Sequence, residues 1–346
     1  MGFGVSTRSR GRARGSRLAV PAGFLILAAC AIPTRPDGGK ARSTAAPHDP
    51  PSGAEAVSLL GKPLFAPPLT PEQSSEREAR LREAREAVER DPTDADAILW
   101  LGRRTAYLGR FREAIEIFGR GIEAHPSDAR FYRHRGHRFL TVRRLDLAIA
   151  DLENAADLIE GIPDQVEPDG LPNARNVPTS TLHSNVWYHL GLARYLTGDL
   201  EGASRCFRQC LRWSRNPDML CATSYWLYIT LRASGRDVEA EAVLAPIHEE
   251  MDIIENRDYH RLLLMFQGRV SPEALLGEAG TDEGSVAFAT VGYGVGWWFR
   301  MRGWREEGSE VFRRILAAGQ WPAFGSIAAE ADLARWSRLR PRSRSR

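Results

Sequence analysis

Hydrophobic positions along this chain fall into four regimes, and each predicts a different kind of structure. One apolar run, Leu18 to Ala29, carries Phe24, Leu25, Ile26 and Leu27 together and follows an arginine-rich stretch ending at Arg17. Residues 31–57 are rich in Pro, Gly, Ser and Ala and have neither a helical nor a strand period, the pattern of a flexible tether. Residues 58–70 set Leu59, Leu60, Leu64, Phe65 and Leu69 among prolines. That stretch is too apolar for a free linker and too proline-rich for a helix, so 58–73 is expected as an extended strap lying on the folded body. From residue 74 onward apolar and polar positions come in helix-length blocks, and no stretch alternates for long enough to be a strand.

Within those blocks small residues recur at a fixed interval, the mark of a repeat architecture. Gly102 and Gly136 are 34 residues apart, and so are Ala114 and Ala148. The block from Ala95 to Pro126 places Gly102 first, Ala114 twelve residues later, Phe118 four after that, and Pro126 near its end. Each type has a physical reason. Gly102 and Ala114 sit where two antiparallel helices cross and let the backbones approach. Gly109 closes the first helix, where a left-handed residue is needed. Phe118 fills the wedge between the helices, and Pro126 stops the pair. The offsets return in Gly191, Gly198, Ala203 and Phe207, more loosely in Gly235, Ala240 and Leu244, and again in Gly296, Gly303, Gly308 and Phe312. Helix pairs are therefore expected over 95–128, 129–160 and 184–217, with weaker copies over 221–250, 253–280 and 286–319. Residues 74–90 read as a leading helix and 323–338 as a closing one, as units that cannot bury their own faces require.

This pattern is similar to the tetratricopeptide repeat. The resemblance implies an all-α, right-handed superhelical solenoid of helix pairs over 74–338, preceded by a disordered signal and tether. It also implies that the first helix of each pair lines a concave groove, at positions six and three before the glycine and one and four after it. Those positions are Asp96, Leu99, Arg103 and Ala106 in the first good repeat, Arg130, Arg133, His137 and Leu140 in the second, and Asn185, Tyr188, Leu192 and Tyr195 in the third. The expected groove is basic and aromatic-edged, suited to an acidic or C-terminal peptide held by arginine, with solvation or pairing to the protein's own acids as the alternative.

Composition changes the picture at the two ends. The formal charge of +3 comes from them. The first 29 residues hold five arginines and no acid, and the last nine hold five more. The body between carries 37 basic against 44 acidic residues, which argues against a nucleic-acid partner. Twelve apolar residues rise roughly 18 Å as a helix, short of a bilayer core of about 30 Å, so residues 1–29 are expected to be a signal peptide. Leu27-Ala28-Ala29-Cys30 resembles the bacterial lipobox, which implies a lipidated Cys30 as the new first residue, followed by a tether to 57. Ala31, with no Asp after the cysteine, favours by the same resemblance the periplasmic face of an outer membrane where one exists. Residues 339–346 form a basic tail.

The second and third good repeats are 21 residues further apart than the interval allows. The insertion, about 161–183, is dense in hydrogen-bonding side chains, and long loops of this kind are uncommon in compact folds. It is expected either to fold over the groove mouth, bringing Arg175, Asn176 and His183 near Arg133 and His137, or to be an exposed spacer. His134 and His137 lack a carboxylate or thiol at ligand spacing, so no metal and no cofactor is expected. Cys206, Cys210 and Cys221 are expected as buried thiols, one Cys221 bridge to Cys206 or Cys210 being the alternative. No phosphate loop, nucleophile elbow or zincin motif is present. The sequence therefore reads as a lipid-anchored adaptor for a protein or peptide partner, not an enzyme. The alternative is an envelope enzyme or small-ligand receptor, with its site formed by the 161–183 loop and the His/Arg cluster.

Overall fold

A computed structural model describes residues 50–339. The signal peptide, Cys30, most of the tether and residues 340–346 of the basic tail lie outside the described residues.

The described residues form an all-α stack of tetratricopeptide-type helix pairs. A leading helix, α1 (Pro71–Arg90), precedes six pairs. These are α2 (Ala95–Tyr107) with α3 (Phe111–Ala124), α4 (Ala129–Thr141) with α5 (Leu145–Leu158), and α6 (Leu182–Thr197) with α7 (Leu200–Trp213). Then follow α8 (Pro217–Ala233) with α9 (Asp237–Leu244), α10 (Arg257–Phe266) with α11 (Pro272–Ala279), and α12 (Val286–Met301) with α13 (Arg305–Ala317). A last helix, α14 (Phe324–Leu339), closes the stack. Among the described residues, extended pairing is confined to a two-residue antiparallel ladder, β1 (Ala56–Val57) with β2 (Pro63–Leu64), and an isolated bridge between Val166 and Thr181.

The glycines that mark the interval sit at the helix crossings. A Cβ on Gly102 would lie 2.4 Å from the Phe118 ring, one on Gly191 2.6 Å from Phe207, and one on Gly296 2.4 Å from Phe312. In the second pair Gly136 meets Leu152 at 2.8 Å. The partner is always sixteen residues on, and Phe118, Leu152, Phe207 and Phe312 are all fully buried. Dense packing of this kind leaves no room for one more methyl.

Caps fix where helices begin. Asp94 and Asp128 accept from backbone N–H groups at the starts of α2 and α4. Ser271 caps α11 with Pro272 in its first turn. The segment 58–73, expected to be extended throughout, departs from that at both ends. It begins inside the β1–β2 hairpin, and α1 starts at Pro71 because Thr70 and Gln73 form a capping box over a proline that fits the first helical position. Phe65 in this segment accepts a 2.7 Å hydrogen bond from Trp321 Nε1.

Left-handed glycines close the first helices of five pairs, at Gly109, Gly198, Gly235, Gly268 and Gly303. The equivalent position of the second pair is Arg143, at φ 64. A non-glycine residue there costs roughly 1–2 kcal/mol, and its side chain explains why it is kept. Arg143 is buried and donates to both carboxylate oxygens of Glu330 on α14, at 3.0 and 2.7 Å, and to the Trp321 carbonyl at 2.8 Å. Glu330 also accepts from the Leu59 backbone N–H at 3.1 Å. One carboxylate thus ties the closing helix to the second repeat and to the N-terminal hairpin.

The stack curls far enough for α12 and α14 to occupy the concave side of α6. Tyr195 Oη and Tyr293 Oη are 2.6 Å apart, and Tyr293 and Trp297 both donate to Asp332 of α14 at 2.9 Å. Arg335 donates to the Tyr195 and Leu196 carbonyls at the C-terminal end of α6, a placement that suits the helix dipole.

Two stability measurements probe this account. Gly325→Ala puts a Cβ 2.1 Å from the Ala289 carbonyl oxygen, a backbone atom that cannot step aside, and is expected to lose about 1–3 kcal/mol in denaturant unfolding. Gly277→Ala, in open space on α11, is expected to gain about 0.5–1 kcal/mol. Equal effects would show that crossing distance is not limiting. Separately, Glu330→Gln leaves Arg143 buried without its counter-charge and is expected to lose about 3–5 kcal/mol, with a loss below about 1 kcal/mol ruling out the tie as a structural anchor.

Candidate partner-binding site

The first helices of the first three pairs build the floor of the concave face. Arg103 comes from α2, Arg133 and His137 from α4, and Asn185 and Tyr188 from α6. Above them lie two adjoining chambers. The smaller, about 170 Å³, is lined by Arg103, Tyr107, Arg133, His134, His137 and Arg138 and by the loop residues Glu167 to Gly170 and Ser180. The larger, about 400 Å³, is lined by Asn185, Tyr188, His189, Glu255, Asp258, Tyr259 and Phe324 among others. Arg133, His137 and Ser180 line both.

The 161–181 loop forms the roof. Its base is closed by the Val166–Thr181 bridge. Its near limb lies on the arginine floor. Arg103 donates to the Pro168 carbonyl and Arg104 to the Gly170 carbonyl, each at 2.7 Å. Glu167 pairs with Arg133 at 3.1 Å and accepts from Asn185 Nδ2 at 3.0 Å. Gly170 has to be a glycine in this register, because a Cβ would fall 1.6 Å from Tyr107 Oη. The far limb is pinned to the loop before α10. Thr179 and Asn173 donate to Glu255 at 2.5 and 3.0 Å, and Arg175 forms a bidentate pair with Asp252 at 2.7 and 2.8 Å. That second loop is itself held by the buried Asp218, whose carboxylate accepts from the backbone N–H groups of Ile254, Glu255 and Asn256.

Burial sets the charge of the site. Arg133 Nη1 lies 2.8 Å from His134 Nδ1 and can only donate, so the imidazole proton sits on Nε2, which donates to Glu167 at 3.2 Å. A second proton on Nδ1 would face the guanidinium. Burial, and then the charge of Arg133, accordingly pull His134 down to about 3. Burial likewise holds His137 and His189 well below the usual imidazole range, with Arg138 and Arg133 respectively adding to it. The three rings are neutral at pH 7. For Glu167 burial works against the charge, but Arg133, and after it His134 and Arg103, hold the carboxyl well below its usual range.

The structure separates the residues that the sequence reading grouped. Arg103, Arg133, His137, Asn185 and Tyr188 face the chambers. Leu192 and Tyr195, expected on the groove surface, are buried in the core because α12 and α14 cover that part of α6. Arg130 is held by Asp128 and Asp96 away from both chambers. Arg175 and Asn176 do not reach Arg133 and His137: Arg175 is exposed on Asp252, and Asn176 is a left-handed turn residue at φ 53. Nor does His183, which is buried on the other side of α6, 2.8 Å from Asp164 and against the Trp213 ring. The basic floor meets Glu167, Asp169 and Ser180 instead. Glu167 and Arg138 were not singled out from the sequence. The signal for Glu167 was available, since it is an acid in the insertion opposite a row of arginines.

Cys206, Cys210 and Cys221 are buried free thiols. Burial raises them to about 11, 12 and 12, which leaves them unreactive. Among the described residues no group of three His, Cys, Asp or Glu is placed to hold a metal ion, and no helix is long and apolar enough to cross a membrane.

Residues 184–217, the α6–α7 pair, match the family model of the tetratricopeptide repeat. No curated protein matches the chain. Among solved structures, the chain is similar to pilF of Pseudomonas aeruginosa at 16% identity and TM-score 0.40, over 71% of this chain and 94% of that one. It is also similar to YrrB, described as a TPR protein with an unusual peptide-binding site, at 13% identity and TM-score 0.39, over 74% and 97%. BtubC from P. vanneervenii gives 13% identity and TM-score 0.40, over 80% and 94%.

The neutral imidazoles predict an acid-sensitive roof. The unfolded chain takes up a proton on His134 near pH 6.5, and the folded one only at about 3, so stability is complete above 6.5 and falls as pH drops through that window. Glu167, held low when folded, adds to the loss once the pH falls below the ordinary carboxylate value. Melting temperature is expected to decline from pH 7 to 4, and His134→Gln, which keeps a neutral donor and acceptor, is expected to flatten that decline. An unchanged slope would remove His134 as a source of the acid sensitivity.

Proposed function

We propose that this protein is a tetratricopeptide-type scaffold, held at the cell envelope by a lipid on Cys30, that grips an extended acidic segment of a protein partner on the Arg103–Arg133 floor. One observation carries the reading. The concave face already holds an extended acidic segment, residues 165–170 of its own roof, by two arginine-to-carbonyl bonds and a buried carboxylate pair. Those donors are of the kind a host uses on a bound peptide: main-chain carbonyls fix the backbone and arginine reads the acid. A partner segment takes the same donors when the roof lifts. The imidazoles serve this role as neutral hydrogen-bonding and packing groups, which fits a scaffold better than proton transfer. The covered chambers support a second reading, a receptor for a small ligand.

The test is fluorescence anisotropy on the full chain with extended peptides graded in Asp and Glu content. Affinity is expected to rise with acidic content. It is expected to fall at least about tenfold in Arg103→Gln/Arg133→Gln, equivalent to about 1.4 kcal/mol, and to increase in Glu167→Gln, which loosens the roof. Affinities indifferent to acidic content, or a Glu167→Gln protein that binds no tighter, would refute the assignment. The anchor is tested apart from it: Cys30→Ser is expected to move the protein from the membrane fraction to the soluble one.

A further inference from the structure

The floor holds more positive charge than the roof neutralises. Arg103 is bonded to the Pro168 carbonyl and Arg133 to Glu167. Arg138 lines the same chamber and its side chain has no hydrogen bond or ion pair among the described residues, its one contact of note being the Phe111 ring, 5.5 Å from the guanidinium carbon. Two further donors are orphaned beside it. The Nε atoms of Arg103 and Arg133 are buried without an acceptor, on residues only 6% and 7% exposed. The two acids of the chamber, Glu167 and Asp169, offset this only in part. Glu167 is already shared among Arg133, His134 and Asn185. Asp169, raised by burial and then by Glu255, has its Oδ2 buried without a partner and makes no ion pair with these arginines among the described residues, and the imidazoles are uncharged.

We propose that Arg138, flanked by Arg103 and Arg133 in the lining of the same chamber, forms an anion subsite beneath the roof that takes one carboxylate or phosphate group of a ligand. Arg138 is half-buried and has no counter-charge of its own, and fork-shaped donors are matched by planar or tetrahedral oxyanions. Burial, with Arg133 and Arg103 adding their repulsion, lowers Arg138 only to about 10, so it stays cationic at neutral pH. The space is adequate. One water needs roughly 10–15 Å³ of such volume, and the chamber offers about 170 Å³. Arg138 lies two residues after Gly136, one position past the groove-facing His137, which is why the interval alone does not mark it. The proposal rests on the concave face being the binding face. It names the chemistry that face reads beyond its own roof.

The test uses small anions, so that it fails separately from peptide capture. Inorganic phosphate and glutarate are titrated into the full chain at constant ionic strength, followed by calorimetry and thermal shift. Wild type is expected to bind one anion per chain and to melt at a higher temperature with it. The tighter of the two probes identifies phosphate or carboxylate as the natural group. Arg138→Met keeps the packing over Phe111 without the charge and is expected to lose at least about tenfold in affinity, while Arg138→Lys loses less. If the Met protein does not fold, Arg138→Gln replaces it in the same comparison. Equal affinity in wild type and the neutral variant, or no saturable anion binding in wild type, overturns the subsite. Anion binding that survives while acidic peptides fail to bind would leave the subsite standing and remove the peptide reading alone.

Discussion

The close crossing of the two helices within a pair is the constraint on which everything else depends. Gly102, Gly136, Gly191 and Gly296 each press against a bulky side chain sixteen residues later, at distances that exclude even a methyl group. A helix pair with that crossing presents one helix to one side and its partner to the other. Stacking such pairs through small rotations produces a curved face lined by first helices. The arginine floor exists because α2, α4 and α6 are set side by side in this way. Widening a crossing would separate Arg103, Arg133 and Asn185, which share a single segment of roof.

Curvature then decides what the concave face contains. Here the curl brings α14 back to the second and third pairs, where Glu330 meets Arg143 and Phe324 packs against His137, Tyr188 and His189. The left-handed Arg143 stands where the other strong repeats have glycine. A local cost in backbone strain is accepted there for a long-range bidentate pair. The consequence is a face with two zones. At the C-terminal part of α6 it is closed core, with Tyr195, Trp226 and Tyr293 in contact. Next to α2, α4 and the N-terminal half of α6 it stays hollow, beneath the 161–181 loop.

The helix pairs were legible in the sequence because the evidence for them is local. A glycine, an alanine and an aromatic at fixed offsets report a contact made inside about thirty residues, whatever surrounds it. The state of the groove was not legible in the same way. Whether Tyr195 is surface or core depends on where α12 arrives, and that is the sum of rotations over two intervening pairs. His183 was misplaced for a different and avoidable reason. It lies in the first turn of α6, two residues before Asn185. Two residues turn a helix through roughly 200°, so a groove-facing Asn185 already sends His183 to the far side, where Asp164 and Trp213 receive it.

The electrostatics of the hollow zone follow from burial more than from composition. An acidic body could have supplied counter-ions for every arginine on the floor, and at the surface it does so, as with Arg130 between Asp96 and Asp128. Beneath the roof the loop delivers two acids, and only Glu167 pairs with the floor, while Asp169 makes no ion pair among the described residues. His134 cannot share the positive load, since its Nδ1 must accept from Arg133 and a proton there would face a guanidinium. The result is a chamber whose neutral groups are locked neutral and whose charged groups do not cancel. An excess of half-buried positive charge, held by rigid helices rather than by mobile surface side chains, is relieved by an anion arriving from outside. The geometry that prevents internal neutralisation is therefore the same geometry that favours a ligand.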